Sequence, residues 1–236
     1  MERKLVRKVQ EFLNENGFEC GAVDGIAGSK TLKAVDNLKT ALRVKRASVA
    51  SKSKSEKNMP SEQREEANEK GLRAERARRE IREACEQEGF DRNQTAYVLA
   101  TVDHETGGTF LPVREAYYIS DSFDVAERWR KKHLRYWPFY GRSYSQLTWK
   151  ENYEKYSKIL SDKFGKEIDL VKNPDLALKP EYAVAILVDG FKYGRFTGKK
   201  ISDYINDNQV DFRNARRCIN GLDEAARIAR LAHKYL

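Results

Sequence analysis

The stretch Thr101-Val-Asp-His-Glu-Thr-Gly-Gly-Thr109 ends a helical pattern with a carboxylate followed by two glycines. Asp91 is predicted to cap the preceding helix, with Gln94 at its third position in a capping box. Apolar and small residues then repeat at the spacing of one helix face, and Glu105 continues that face. Because paired glycines end helices, the pattern predicts a helix that finishes with Glu105 on its buried side.

Glu105 is therefore a candidate catalytic acid. Burial disfavours an ionised carboxylate and raises its pKa. Enzymes use this effect to keep a carboxylic acid protonated near neutral pH for proton donation. A buried glutamate paired with an arginine explains the same pattern without catalysis, and this stretch alone does not decide between the two.

The composition indicates a water-soluble globular protein. Of the 236 residues, 40% are hydrophobic and 34% are charged. No apolar run approaches the roughly 18 residues of a membrane span, and the amphipathic start lacks a signal-peptide core. We therefore expect that the protein does not insert stably into a membrane. We also expect that it is made and kept in a cytosol. Three scattered cysteines predict buried thiols rather than a disulfide framework, and three scattered histidines predict no zinc site.

The chain is basic, with a net charge of +9 from 45 Lys and Arg against 36 Asp and Glu. Such a surface attracts polyanions such as nucleic acid, anionic lipid or an anionic cell wall. Charge does not choose among these partners, and a solvated surface explains it as well. The chain carries no zinc finger or RNA-recognition signature, so we expect no nucleic-acid partner.

Composition shifts divide the chain into three parts. Residues 1–44 form a module with an amphipathic helix, a Gly-rich turn and a second helix capped by Ser29. Residues 45–71 are a basic, Ser-rich linker whose second half, 62–69, has a helical pattern. Residues 72–236 form the larger domain.

The larger domain is expected to be mainly α, with a groove and at most a short β-hairpin at 109–120. Residues 109–145 have an irregular pattern with ten aromatic residues, which could stack on sugar rings or, for most of them, pack the core. Further helices are predicted at 91–105, 149–164, 180–191, 201–206 and 224–235, after one that ends at Gly89.

The first module carries a set of short motifs. They are Val9-Gln10, Leu13, Gly17-Phe18, Val23-Asp24-Gly25-Ile26-Ala27-Gly28, Thr31 and Ala34-Val35. Together they resemble the small three-helix peptidoglycan-binding domain of cell-wall hydrolases, although Leu38-Lys39 stands where that family has an aromatic residue followed by Gln. The resemblance implies a wall-binding role for Asp24, Gly25, Gly28 and Thr31. A helical hairpin without a ligand is the alternative.

Glu115 is a natural partner for Glu105. It lies ten residues further on, across two glycines and Pro112. Glycoside hydrolysis uses two carboxyls on opposite rims of a cleft, one as acid and the other as base or nucleophile. Glu115 could instead form a surface ion pair with Arg114, and paired glutamates are common.

Five motifs occur in order around these acids. They are His104-Glu-Thr-Gly-Gly108, Arg114-Glu-Ala116, Tyr140-Gly-Arg-Ser-Tyr-Ser-Gln-Leu-Thr-Trp-Lys-Glu-Asn-Tyr153, Asn173-Pro-Asp-Leu176 and Arg216-Arg-Cys-Ile-Asn-Gly221. Their order resembles glycoside hydrolase family 19, the chitinase family, and specifically its phage-endolysin branch. The resemblance covers about residues 74 to 235 and implies a lysozyme-like α-helical domain. The chain departs from the family at Ser143, where a glycine is usual, so strain is expected in that turn.

The resemblance also implies roles. Glu105 is the general acid, Glu115 the base that activates water, and Thr148 helps to hold that water. The family inverts anomeric configuration, so the carboxyls should lie roughly 6.5–9.5 Å apart. The implied substrate-binding residues are Gln146, Asn152, Tyr140 and Asn220, with Arg217 a partner for the carboxylates.

The resulting hypothesis is a monomeric endolysin that needs no metal or cofactor and cuts β-1,4 bonds of peptidoglycan glycan strands. It would wait in the host cytoplasm until a holin opens the inner membrane. A chitinase acting on N-acetylglucosamine polymer is the alternative enzyme. A wall-binding protein with an inactive catalytic fold and a basic nucleic-acid binder are the non-enzymatic alternatives.

Overall fold

A computed structural model describes residues 2–15, 17–40 and 61–236. The fold is mainly helical, as predicted, with one small two-stranded sheet among these residues. The chain divides into two compact units, Met1–Asn68 and Glu69–Leu236. Within the described ranges, none of the helices combines the length and the apolar character that crossing a bilayer requires.

The first unit contains helix α1, Glu2–Glu15, and helix α2, described over residues 29–40. Helix α2 begins with Ser29 as its first helical residue, because the carbonyl of Gly28 already accepts a hydrogen bond from the Leu32 amide. Gly28, rather than Ser29, is therefore the cap. Residues 41–60 lie outside the described residues, so the three-helix form of the module and the basic part of the linker stay predictions. The small core of the first unit consists of Leu13, Cys20 and Ala34, with Phe18, Val35 and Leu38 packed against them.

Helix α3, Ser61–Gln87, confirms the helix expected over residues 62–69. Most of its surface is charged and exposed, and a narrow stripe of Ala74, Ala77, Ile81 and Cys85 is buried. All three cysteines of the chain are buried and unpaired. Burial raises the pKa of the Cys85 and Cys218 thiols to about 12, so they remain protonated and unreactive.

Helix α4, Arg92–Glu105, is the centre of the second unit. Its predicted capping box is confirmed: Asp91 accepts from the Gln94 amide, and the Gln94 side chain accepts from the Asp91 amide. Every residue from 95 to 102 is buried. Helix α8, Ala225–Tyr235, packs along α4, with the Tyr235 hydroxyl donating to Asp103 at 2.7 Å.

Three further helices complete the unit: α5, Phe123–His133; α6, Lys150–Phe164; and α7, Pro180–Tyr193. Helices α6 and α7 confirm the sequence predictions, and α7 is buried over most of its length. Helix α5 lies in the segment predicted to be irregular, so that prediction is wrong. Short 3-10 turns occur at Tyr117–Ile119, Pro174–Leu178, Ile201–Asp203 and Asn214–Cys218.

The only sheet in the described chain is the antiparallel hairpin of β1, Ile205–Asn206, and β2, Gln209–Val210. The predicted helix through 201–206 is wrong for its second half, because only Ile201–Asp203 form a helical turn and Ile205–Asn206 form a strand. The Asn206 side chain accepts from the Asn208 amide, a local bond that favours a tight turn over a helix. The hairpin predicted at 109–120 does not form, because Phe110 and Ala116 both have φ of 55°, which interrupts extended backbone.

Candidate active site

Glu105 is the last residue of α4 and is held by an arginine. Its Oε1 accepts a hydrogen bond from Arg216 Nη1 at 2.8 Å. The Arg216 side chain is 6% exposed and that of Glu105 is 22% exposed. The helix ends where predicted, since Gly107 and Gly108 follow with φ of 58° and 83°. However, the expectation of a carboxyl buried among apolar side chains is wrong, because the last turn of α4 leaves the core.

Arg216, and not Arg217, is the arginine at this acid. Arg216 lies in the 3-10 turn Asn214–Cys218 and is also held by its Nε, which donates to the Asp223 carbonyl at 3.2 Å. Arg217 is exposed and reaches only Asn214, at 3.4 Å. The assignment of Arg217 as partner of the carboxylates is therefore corrected to Arg216. Adjacent arginines in a short turn offer no apolar period that would have distinguished them.

Glu115 is fixed through both carboxylate oxygens. Its Oε1 accepts from the Tyr136 hydroxyl at 2.6 Å, and its Oε2 accepts from the Gly141 amide at 2.8 Å. Burial, followed by the hydrogen bond to Glu115, raises the pKa of Tyr136 to about 12, so the phenol remains a donor at neutral pH. The Glu115 amide donates back to the Gly141 carbonyl at 2.7 Å. Arg130 Nε binds the Glu115 carbonyl at 2.7 Å.

The alternative of a surface ion pair between Glu115 and Arg114 is wrong. Arg114 binds Asp175 instead, at 2.9 Å. Asp175 also accepts from Arg142 at 2.8 Å. Burial acts to raise the pKa of Asp175, but the hydrogen bonds from both arginines outweigh it and lower the pKa. The Asp175 carboxylate therefore links the segment before Glu115, through Arg114, to the loop that contains Gly141, through Arg142.

Gly141 leaves room for the side chains of both Glu115 and Gln146. A Cβ at this position would lie 2.3 Å from Gln146 Oε1 and 3.2 Å from Glu115 Oε2. The first distance would force the Gln146 side chain to move, so this arrangement requires glycine. The structure thus brings together two of the predicted site residues, an acid and a side-chain amide, over one backbone position.

The loop after Gly141 is a tight turn with strained backbone. Arg142 and Leu147 exchange backbone hydrogen bonds of 3.1 and 2.8 Å. Between them, Ser143 and Gln146 have φ of 77° and 55°, values that side-chain-bearing residues rarely adopt. Ser143 is fully buried, and its Oγ has no hydrogen-bond partner among the described residues. The strain expected from a serine in place of the family's glycine is present.

Thr148 and Asn152 extend this turn into α6. The Thr148 hydroxyl donates to the Gln146 carbonyl at 2.7 Å, and Asn152 Nδ2 donates to the Thr148 carbonyl at 2.7 Å. Trp149 between them has φ of 74°. Strained residues of this kind cluster at functional sites, where the surrounding structure must hold them. Because the single proton of the Thr148 hydroxyl is donated to the Gln146 carbonyl, this hydroxyl can act towards a further group only as an acceptor.

Tyr140 is not on a groove surface. It is 1% exposed, and its hydroxyl donates to Glu127 at 2.8 Å. Its ring lies between the guanidinium groups of Arg142, 3.7 Å from the centroid, and Arg130, 5.1 Å away. The predicted role in sugar binding is therefore replaced by a packing role.

Asn220 is exposed, and its backbone N–H donates to the Arg216 carbonyl at 3.0 Å. This bond places Asn220 beside Arg216, the arginine that binds Glu105.

The aromatic residues of segment 109–145 divide between core and surface. Three of the ten are buried, three are half-buried and four are exposed, so the expectation that most pack the core is wrong. Tyr117 and Phe123 are among the exposed rings and line a pocket of about 450 Å³. Thr106, next to Glu105, and Arg114, next to Glu115, line the same pocket.

The carboxyls themselves do not line that pocket, and their separation stays a prediction. A larger cavity in the described chain, about 580 Å³, lies between α3 and α7. It contains neither acid, and Arg76 and Glu80 on its wall already pair with each other within α3. We therefore place the site at the acids rather than at this larger cavity. No three His, Cys, Asp or Glu side chains of the described ranges are arranged to hold a metal ion.

In the first unit, the predicted wall-binding residues surround a buried glutamine. Gln10 is 1% exposed; its Nε2 donates to Asp24, Ile26 and Thr31, and its Oε1 accepts from the Gly25 amide. Gly25 has φ of 76°, and a Cβ there would lie 2.8 Å from the Arg3 carbonyl. Thr31 is also buried. These residues therefore stabilise the module. Asp24, Gly28 and Thr31 also line a pocket of about 340 Å³, and their wall-binding role stays a prediction.

Comparison with protein-family models finds no match for the chain, and comparison with curated proteins finds none either. The class that the fold and site define is a mainly α protein with two separately held glutamates and a strained loop beside one of them. Its function has to be inferred from this geometry and from the motifs that carry the family resemblance.

Proposed function

We propose that the chain is an endolysin that hydrolyses β-1,4 glycosidic bonds of bacterial peptidoglycan by an inverting mechanism. The observation that supports this best is the setting of Glu115. Both of its oxygens accept hydrogen bonds, and its Oε2 and Gln146 Oε1 both lie close to Gly141. A carboxylate fixed in this way is suited to act as a general base.

In this proposal Glu105 is the acid. Arg216 holds Oε1, which leaves Oε2 to carry the proton to the leaving glycosidic oxygen. Arg216 is itself fixed by the Asp223 carbonyl, so the carboxyl plane is oriented before substrate binds. Pre-orientation of this kind lowers the entropic cost of reaching the transition state.

Glu115 then removes a proton from a water molecule. Tyr136 and Gly141 use two of the roughly four acceptor positions of its carboxylate, so it can accept from water as well. Thr148 Oγ1 can accept a hydrogen bond from the other O–H of that water, because its own hydroxyl proton is donated to the Gln146 carbonyl. Attack from the face opposite the leaving group inverts the anomeric centre in one displacement, with the carboxyls roughly 6.5–9.5 Å apart.

The substrate assignment rests on the surroundings of the acids and on the first unit. Exposed Tyr117 and Tyr118 lie two and three residues after Glu115 and offer ring faces on which sugars stack. The resemblance of the first unit to peptidoglycan-binding domains favours a wall polymer. A second module on the same polymer raises the local concentration of substrate.

The test is hydrolysis of purified peptidoglycan and of chitin, with mass spectrometry of the released reducing ends. We expect turnover of peptidoglycan, and the product ends identify which β-1,4 bond is cut. Glu105→Gln and Glu115→Gln should each reduce the rate by at least about a hundredfold. Glu154→Gln, an exposed glutamate on α6 paired with Lys150, is the matched control and should retain full rate.

Three results would contradict the proposal. Wild-type lysis by Glu105→Gln would exclude Glu105 as the acid. Turnover of chitin with none of peptidoglycan would identify a chitinase instead. Formation of the β-anomer as the first product, seen by proton NMR before mutarotation, would exclude inversion of a β-linkage.

A further inference from the structure

Asn220 and Gly221 form an exposed Asn-Gly pair in the short segment between the 3-10 turn Asn214–Cys218 and helix α8. Neither residue belongs to a helix or a strand. The Gly221 backbone N–H donates to Oδ1 of Asn220 at 2.8 Å. Within the described chain, neither that N–H nor the side-chain NH2 of Asn220 bonds to another group. The asparagine side chain is therefore folded onto the backbone nitrogen of the residue that follows it.

This fold brings a backbone nitrogen close to an amide carbon. Because a C=O bond is about 1.23 Å long, the Gly221 nitrogen lies no more than about 4.0 Å from Cγ of Asn220. Atoms that react need to approach to roughly 3–3.5 Å. The Cβ–Cγ torsion of asparagine is soft, and the exposed side chain can turn the face of its amide towards this nitrogen. Only a small movement separates the observed geometry from a reactive one.

Glycine at position 221 favours that approach. It has no side chain to shield the attacking nitrogen, and its backbone rotates more freely than that of any other residue. The surroundings are open as well, since a Cβ built on Gly221 would meet nothing within 4 Å. The fold therefore leaves room for the pair to change shape, and asparagine is among the chemically labile residues of proteins.

We propose that Asn220 is a self-modification site, at which the asparagine converts to isoaspartate and aspartate without an enzyme. The Gly221 N–H gives its proton to a base in the solvent, and the nitrogen forms a bond to Cγ of Asn220. The bond from Cγ to Nδ2 breaks, and Nδ2 takes up a proton and leaves as ammonia, so that a succinimide ring remains. Water then opens the ring. Attack at Cγ gives aspartate, and attack at the backbone carbonyl carbon of residue 220 gives isoaspartate.

The pair lies inside a loop that fixes Arg216. The Arg216 carbonyl accepts from the Asn220 backbone N–H at 3.0 Å, and Arg216 Nε donates to the Asp223 carbonyl at 3.2 Å. Isoaspartate at position 220 adds a carbon to the main chain between these two contacts. Since Arg216 holds Glu105 at 2.8 Å, the longer main chain should loosen that ion pair. The effect on turnover rests on the proposed function of Glu105, whereas the conversion itself does not.

Peptide mapping by mass spectrometry tests the conversion in the full chain. The protein is incubated in mildly alkaline buffer, and isoaspartate is labelled with protein isoaspartyl methyltransferase. We expect label at position 220, at a rate that rises with pH because the attacking nitrogen must lose its proton. Mapping separates this position from Asn16-Gly17, the other Asn-Gly pair of the sequence. A synthetic peptide of residues 214–225 is the reference, and a folded chain that stays unlabelled at 220 while the peptide reacts would overturn the proposal.

Gly221→Ala is the matched variant. Its methyl group hinders ring closure, and nothing lies within 4 Å of the added Cβ that would disturb the fold. The fresh variant should turn over peptidoglycan as the wild type does and lose the label at position 220. Gly71→Ala, in α3, should be labelled as the wild type is. Conversion of Gly221→Ala at the wild-type rate and without isoaspartate would identify direct hydrolysis of the side-chain amide and overturn ring closure.

Two further measurements test the link to Arg216. The converted form, separated by ion exchange through its additional negative charge, should unfold at a lower urea concentration than the fresh chain. Unchanged stability would overturn the loosening of Arg216. The turnover of peptidoglycan should also fall in the converted form. A fresh chain without turnover would contradict the proposed function alone, since the label and the loss of stability do not depend on hydrolysis.

Discussion

Arg216 donates from Nη1 to Oε1 of Glu105 at 2.8 Å, although the two residues lie 111 positions apart in sequence. The bond joins the end of the central helix α4 to the 3-10 turn before α8. The helix pattern allowed either a catalytic carboxyl or a glutamate paired with an arginine. The pair is present, and the proposed catalytic role has to operate with it in place.

Removal of Arg216 should destabilise the second unit. Arg216→Met leaves Glu105 without its buried partner, and we expect a loss of about 2 kcal/mol, below the roughly 3–5 kcal/mol of a fully buried pair. The reduction follows from the 22% exposure of Glu105. Urea denaturation of this variant, of Glu105→Gln and of the double variant gives the coupling energy.

Arg217→Met is the control for this cycle, because the neighbouring arginine is exposed. It should change stability by no more than about 0.5 kcal/mol. If the effects of Arg216→Met and Glu105→Gln are additive, the two side chains do not stabilise one another and the ion pair contributes nothing to the fold.

Gly141→Ala should disturb the placement of Gln146 and Glu115 around this backbone position. The new methyl group would lie 2.3 Å from Gln146 Oε1, so the amide and the neighbouring carboxylate must move. If Glu115 is the base, displacement of this size should lower the turnover of peptidoglycan by about tenfold to a hundredfold. The measurement is the initial rate on purified peptidoglycan.

Gly71→Ala is the matched control for Gly141→Ala. Gly71 lies inside α3 with nothing within 4 Å of an added Cβ. The change should stabilise the helix by up to about 1 kcal/mol and leave turnover unchanged. Full activity of Gly141→Ala would mean that catalysis does not depend on this placement of Gln146 and Glu115 around Gly141.

Ser143→Gly should stabilise the second unit by about 1–2 kcal/mol. Glycine removes the cost of a side chain at φ of 77°, about 1–2 kcal/mol, and an unpartnered buried hydroxyl. Greater freedom of the unfolded chain offsets part of this gain, by about 0.4–1 kcal/mol. Thermal and urea denaturation measure the net change.

Ser143→Ala separates the two contributions. It removes the hydroxyl but keeps a Cβ at the same left-handed position, so its gain should be smaller than that of Ser143→Gly. Equal gains would show that the hydroxyl, and not the backbone conformation, is the source of the instability.

Local signals in the sequence predicted α4, α6, α7 and α8. The capping box at Asp91 and the proline that opens α7 act within a few residues, so they can be read without the tertiary structure. Helix α5 was missed because it buries only Ala126 and Arg130, too narrow a stripe to produce an apolar period.

The site could be predicted only in part. The motif resemblance identified Glu115 and Gln146, but their approach to one backbone position depends on the missing side chain of Gly141. Tyr136 and Arg216 were missed because their roles are fixed by packing over 21 and 111 residues of sequence. No periodicity or spacing in one sequence reports such distant partners.

The bridge of Asp175 with Arg114 and Arg142 should make stability depend on acid pH. Arg142 is 4% exposed, so Asp175→Asn should cost about 1–3 kcal/mol at neutral pH. Hydrogen bonds from both arginines, against the effect of burial, hold the pKa of Asp175 below its ordinary value of 3.8 in the folded state. The stabilisation is therefore present above that value and is lost as pH falls through the lowered pKa.

Urea denaturation at about pH 7 and about pH 2.5 checks this dependence. The difference between wild type and Asp175→Asn should shrink at the lower pH. Asp162→Asn, on the exposed side of α6, should show no such difference at either pH. A difference for Asp175→Asn that stays constant would mean that its effect comes from packing and not from ionisation.

Gln10→Leu should unfold the first unit and leave the second intact. Gln10 bonds to Asp24, Ile26, Thr31 and Gly25, and leucine can replace none of these bonds. Loss of so many buried hydrogen bonds should cost about 2–4 kcal/mol, a large fraction of the stability of so small a unit. Amide hydrogen exchange should then show loss of protection over residues 4–40, with residues 92–105 still protected.

The control is Gln63→Leu, because Gln63 is an exposed glutamine of the same unit. This variant should keep both regions protected. Retained protection in Gln10→Leu would show that the structure around Asp24, Gly25 and Thr31 does not depend on Gln10. Wall binding would then be the better explanation for Asp24.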